Sequence, residues 1–158
     1  LADILEEKLT PDRVYINTSN SAVNAIINVK LHKCKELGIE THYNIVDRIE
    51  IDDIDISILF ANLFDNAIEA CSHNKSKSSI SLNVTYEKAY LNIIMKNTIE
   101  KSVLKHNPNL LTTKKDKTKH GYGLQTINDI VRKYDGMKRY YEKDGFFYAD
   151  VWLKLPAK

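Results

Sequence analysis

Apolar residues recur at helical spacing in three stretches of the chain and alternate like strands in the stretches between. Val23, Ile26, Ile27, Leu31 and Cys34 share one face of a helix that Asn20 can cap and Gly38 can stop. Ile39–Val46 then reads as a strand. The acidic run "DRIEIDDID" leads to a second helix starting near Asp55, which supplies both an N-cap and a charge that suits the helix dipole. This helix carries "LFANLFDNAIEAC" (Leu59–Cys71) and frays around Ser72–Lys77. Ser79–Tyr86 and Tyr90–Asn97 both alternate around a short polar turn, which predicts a β-hairpin. A third helix starts near Leu124, with Ile127, Ile130, Val131 and Tyr134 facing inward and Gly136 behind it. "KRYYEK" and "FFYADVWLKL" form a second hairpin around the Asp144–Gly145 turn signal.

This order predicts an α+β fold, a two-layer α/β sandwich. Three helices pack on one face of a mixed, mostly antiparallel sheet. Between Thr98 and His120 no regular pattern persists and Pro108 interrupts the middle. A structureless loop of that length in a compact domain is usually functional or disordered. Residues 1–12 are expected to be the end of an upstream helix or a linker, with the domain proper spanning 13–158.

Composition narrows the class without naming it. The 158 residues, 43% hydrophobic and 28% charged, suit one globular domain with a real core. The net charge of +2 argues neither for nor against nucleic acid, but the lysines are uneven. Lys114, Lys115, Lys117 and Lys119 crowd into the patternless segment, which favours a local anionic partner. Cys34 and Cys71 lack metal-type spacing and read as reduced core thiols. No apolar run reaches membrane-spanning length. The chain begins at Leu1 within a helix-like pattern, so a fragment of a longer protein is expected.

Candidate chemistry lies in two places. On the second helix, Asn62, Asn66 and Glu69 fall on one stripe, while Leu59, Leu63 and Ile68 serve the core. A solvated face is the plain reading of such a stripe. Its rival is that an Asn carbonyl coordinates a hard cation from a rigid platform. The second place is "HGYGL" (His120–Leu124), where glycines at the opening of a helix let backbone N–H groups approach an anion. Its plain reading is a flexible loop meeting a helix cap.

Taken in order, the motifs resemble one superfamily. "NLFDNAIEA" (Asn62–Ala70) is similar to the N box, and "HGYGLQTINDIVRKYDG" (His120–Gly136) to the G box, of the Bergerat-type (GHKL-type) ATP-binding fold of histidine kinases, gyrase and MutL. "DNAIEA", the "TTK" at Thr112–Lys114 and the strand ending in Asn resemble the peptide-sensing quorum histidine kinases of the AgrC and ComD type. The resemblance implies ATP and Mg²⁺ as ligands, with Asn66 as the metal ligand and Asn62 shaping the phosphate site one turn earlier. It implies that Gly121, Gly123 and the adjoining Leu124 line the phosphate loop, that Thr113 and Lys114 touch the phosphates, and that residues 99–120 form an ATP lid. His120 flanks the glycines, and both a phosphate contact and a packing role stay open for it.

Departures from the pattern carry information too. The superfamily's Asp-x-Gly, whose Asp accepts from the adenine amino group, is represented by Asn97 and Ile99. An amide accepts that bond without charge assistance, and Ile99 is expected to narrow the pocket. Glu69 stands where many related kinases carry Lys, and Asp65 is given no chemical step. ATP-hydrolysing members place a general-base Glu where Asn62 stands. Asn62 cannot accept a proton, so transfer to a protein acceptor is favoured over hydrolysis.

None of the five histidines sits beside a suitable acidic neighbour, so the phosphoacceptor is expected upstream of Leu1. The implied partners are the parent's own dimerisation domain, a response regulator and a second copy of the full-length protein. Nucleic acid is not among them, and membrane contact is expected only through an N-terminal region of a bacterial sensor whose cytoplasmic part this chain would be. Two alternatives stay open: an ATP-gated dimerising ATPase of the same fold, and a degenerate nucleotide-binding or docking module.

Overall fold

The computed structural model describes residues 14–110 and 117–157, with backbone only for 117–122. The expected linker at 1–12 lies outside the described residues. Helix α1 (Ser21–Glu36) begins where Asn20 accepts a hydrogen bond from Val23 N at 2.9 Å, and it buries Val23, Ile27, Leu31 and Cys34. Strand β1 (Glu40–Ile45) follows Gly38, whose φ of +71° ends the helix in the conformation only glycine adopts cheaply.

Helix α2 (Asp53–Ser72) starts slightly before the expected position. Asp52 is the cap, accepting from Ile54 N and Asp55 N at 3.0 and 3.1 Å. Asp55, expected to be the cap, is instead free to bond across to another helix. The hairpin of β2 (Ser79–Glu87) and β3 (Tyr90–Thr98) matches the alternation in the sequence. So does the hairpin of β4 (Met137–Lys143) and β5 (Phe146–Lys154), where Asp144 and Gly145 take φ values of +52° and +82°.

Helix α3 (Lys117–Lys133) departs most from expectation. It begins at Lys117, not near Leu124, so His120, Gly121 and Gly123 lie inside it. Two glycines within four residues argue locally for a loop, because glycine costs about 1 kcal/mol against alanine in a helix interior. The tertiary setting overrides that preference, since α3 packs on α2 along a line that includes Gly123.

The sheet runs β1-β2-β3-β5-β4, with β1 parallel to β2 and every other pair antiparallel. The three helices cover one face, α2 lying centrally against β2 and β3 with α1 and α3 on either side. This is the predicted α+β sandwich. Phe60 and Phe64 of α2 and Leu91, Ile93 and Met95 of β3 are fully buried between the layers. The opposite face carries stacked Tyr141 and Tyr148, and Lys96 lies 4.6 Å from the Phe146 ring. Cys34 and Cys71 are free and buried, and burial raises both thiol pKa values, that of Cys34 to about 11. Among the described residues no helix is long and apolar enough to cross a membrane.

Candidate functional site

The polar stripe of α2 divides into three destinations. Asp65 turns toward α1 and pairs with Lys30 Nζ at 2.7 Å, so it fastens helix to helix. Asn62 donates from Nδ2 to Ile58 O of its own helix at 3.0 Å, which fixes its amide and turns its carbonyl outward. Asn66 is exposed and its side chain makes no hydrogen bond among the described residues.

Gly123 of α3 faces both asparagines. A methyl group on Gly123 would lie 3.3 Å from Asn62 Oδ1 and 3.8 Å from Asn66 Oδ1. Two amide carbonyls therefore converge on one point of the α3 backbone, and the absence of a side chain at Gly123 keeps the gap open. The sequence paired these motifs only by resemblance; here the packing of α3 on α2 brings them together.

A cavity of about 160 Å³ adjoins this gap, bounded by α2, β3, β5, β4 and the segment after β3. Its walls are mostly apolar, with Leu63, Ala67, Met95, Leu124 and Phe147 among them. Sites for drug-sized ligands span about 300–1,000 Å³, so this cavity suits a flat ring system whose remainder extends out past Asn66. Asn97, at the end of β3, is only 3% exposed and also lines the cavity. Its Nδ2 donates a long 3.3 Å bond to Thr98 O. An amide carbonyl at the wall of an apolar cavity is suited to accept from an amino group on a ring.

Ile99 does not narrow this cavity, contrary to expectation. Its N–H donates to Gly145 O at 2.9 Å, which continues the β3–β5 pairing, and its side chain lines a separate hollow beside Glu100 and Lys143. Leu124 and Asn66 line the cavity. Gly121 lies within α3. Thr113 and Lys114 fall outside the described residues, as does the side chain of His120.

Four residues of the site escaped the sequence reading. Asn107 and Tyr140 line the cavity. Burial pushes the Tyr140 hydroxyl up to about 12. Glu142 of β4 accepts from Ser102 Oγ, Val103 N and Leu104 N at 2.8, 3.0 and 3.1 Å, which holds the start of the long segment against the sheet. Glu100 accepts from Lys75 N, Ser76 N and Ser76 Oγ, and those bonds pull its carboxyl down to about 2. The alternation that sets Tyr140 and Glu142 on the helix-facing side of β4 was visible, but nothing in it marked them as neighbours of Asn97. No cluster of three His, Cys, Asp or Glu side chains able to hold a metal occurs among the described residues.

Comparison with known proteins bears on the same residues. A family model described as the GHKL domain matches residues 51–154, from just before α2 to the end of β5. The nucleotide-free catalytic domain of histidine kinase ThkA is similar at 15% identity, over 87% of this chain and 92% of that one, with a TM-score of 0.68. The mycobacterial sensor histidine kinase MprB is similar at 12% identity over 85% and 97%, with a TM-score of 0.64. Histidine kinase AdeS of Acinetobacter baumannii is similar at 10% identity over 99% and 78%, with a TM-score of 0.67. At such identities the likeness is one of fold. No curated protein matches the chain.

Proposed function

The chain belongs to the GHKL domain family, and on that footing we propose that it binds Mg·ATP and donates the γ-phosphate to a histidine on a dimerisation domain. The single observation that carries this reading is the convergence of the Asn62 and Asn66 carbonyls on Gly123, next to an apolar cavity that ends at Asn97. The base would occupy the cavity, with its amino group on the Asn97 carbonyl. The phosphates would lie between Asn66 and α3.

The donor set fits magnesium. Mg²⁺ is ordinarily held by few protein ligands, with phosphate oxygens and waters completing its octahedron, and a free amide carbonyl at Asn66 can supply one position. Bound there, the ion would neutralise charge on the phosphates. Asn62 holds its amide against its own helix and offers no base to activate water. That favours transfer, in which the protein's part is to position and to stabilise charge, over hydrolysis.

The finer identity rests on sequence wording. "DNAIEA" and "TTK" favour a two-component quorum-sensing kinase of the AgrC and ComD type, working with its own phosphoacceptor domain and a response regulator as part of a bacterial membrane-anchored sensor. A second reading, a docking module that no longer transfers phosphate, draws on Asn97, uncharged where an Asp is usual, and on Glu69, acidic where a Lys is usual. Titration with ATP, with and without Mg²⁺, separates the two. Saturable binding that magnesium strengthens is expected, and Asn66→Ala should abolish the magnesium-dependent part. Absence of saturable binding in either condition sinks the catalytic reading, and unchanged affinity in Asn66→Ala removes the metal assignment.

A further inference from the structure

Tyr140 is the one tyrosine lining the nucleotide cavity among the described residues, and the reaction as proposed leaves it unused. It enters the helix-facing side of the sheet because β4 pairs Tyr140 with Ala149 of β5, next to the pair Glu142–Phe147. The ring stacks on Phe147, with centroids 5.9 Å apart and planes 24° apart, so its orientation is held by packing. Its hydroxyl is buried and has no hydrogen-bond partner among the described residues. Leaving a buried hydroxyl unmet costs about 1–3 kcal/mol, and an apolar core position could have used phenylalanine instead. Neighbouring Phe147 shows that this wall accepts that side chain. Asn97 lines the same cavity.

We propose that the Tyr140 hydroxyl is a second base-reading group, donating a hydrogen bond to a ring nitrogen of the purine whose amino group Asn97 accepts. This rests on the nucleotide-binding reading and deepens it. Asn97 supplies only an uncharged acceptor, so one contact would hold the base weakly. A phenol that stays protonated throughout the physiological range supplies the complementary donor. An acceptor facing an amino group and a donor facing a ring nitrogen together specify a base edge, which neither does alone. Tyr140 would thus determine specificity and touch no reacting atom.

Tyr140→Phe removes the hydroxyl and keeps the stacked ring. Without nucleotide, its thermal midpoint should equal or exceed that of the unaltered chain, because a buried unmet group is gone. Its affinity for Mg·ATP should fall about three- to tenfold, the worth of one net hydrogen bond. The 1-, 3- and 7-deaza analogues of ATP then identify the nitrogen. One of them should bind the unaltered chain more weakly than ATP does, and that penalty should vanish in Tyr140→Phe. Equal affinity of the two proteins for ATP, or deaza penalties identical in both, would overturn the assignment while leaving ATP binding intact. If the unaltered chain shows no saturable ATP binding, both this inference and the reading beneath it fall.

Discussion

An asparagine amide carries one acceptor and one donor group, and its meaning depends on what each meets. The chain contains two stripes of asparagine at four-residue spacing. On α1, Asn20 caps the helix, Asn24 Oδ1 accepts from Thr18 N and Nδ2 donates to Thr18 O, and Asn28 does the same for the backbone of Tyr15 and Ile16. These amides replace a missing strand partner for the segment before the helix. On α2, among the described residues, the Asn66 side chain makes no hydrogen bond and Asn62 bonds only its own helix, so these two remain for a ligand. Gly123 completes the contrast. Gly123→Ala gains helix propensity of about 1 kcal/mol, yet its methyl would press to 3.3 Å from Asn62 Oδ1. The expected outcome is a melting temperature no lower than that of the unaltered chain, with Mg·ATP affinity reduced at least severalfold. Calorimetric titration beside a thermal melt separates the two effects. Undiminished affinity would show that the gap beneath Gly123 is not where phosphate goes.

At the scale of elements, the site depends on how α3 is held on α2. Beyond the glycine contact, Asp55 in the first turn of α2 accepts from Lys133 Nζ at 2.7 Å and from the Tyr134 hydroxyl at 2.6 Å, at the end of α3. The Lys133 bond, then the Tyr134 bond, draw the Asp55 carboxyl below its usual range, and Asp55 in turn raises Lys133. Because Lys133 is largely exposed, most of the value lies in the half-buried tyrosine bond. Asp55→Ala should therefore cost about 1–2 kcal/mol in urea unfolding, with Tyr134→Phe accounting for much of it. A double variant no worse than Asp55→Ala is the expected signature of a shared bond, and full additivity would count against it. Helix periodicity made α2 and α3 legible, including their inward faces. It did not reveal the early start of α3, because local glycine propensity and long-range packing point in opposite directions there.

At the scale of the whole molecule, two carboxylates fasten the segment after β3 to the layers on either side of the cavity. A patternless run suggested a free lid, but residues 100–104 are tied by Glu100 to the α2–β2 connection and by Glu142 to β4. Glu100 makes a pH prediction. Its folded-state pKa of about 2 lies below the ordinary 4.5, so its contribution is complete above pH 4.5 and is lost as pH falls toward 2. The difference in melting temperature between the unaltered chain and Glu100→Gln should thus be constant above pH 4.5 and close progressively below it. A difference that does not change with pH would remove the charge-assisted role.

Local chemistry in the sequence determined much of this protein. Periodicities of 3.6 and 2, an Asn and an acidic cap, and an Asp-Gly turn dictate the helices and hairpins, because each depends on neighbours within a few residues. The N-box and G-box wording marked Asn66 and Gly123 before any geometry was known. Tertiary structure alone decided which asparagines are structural and which are free. It decided that Asp65 serves Lys30, that Ile99 lies outside the cavity, and that Tyr140 and Asn97 line it together. Those outcomes turn on contacts between residues tens of positions apart, where a side chain's meaning is set by the partner it reaches. No local pattern carries that information.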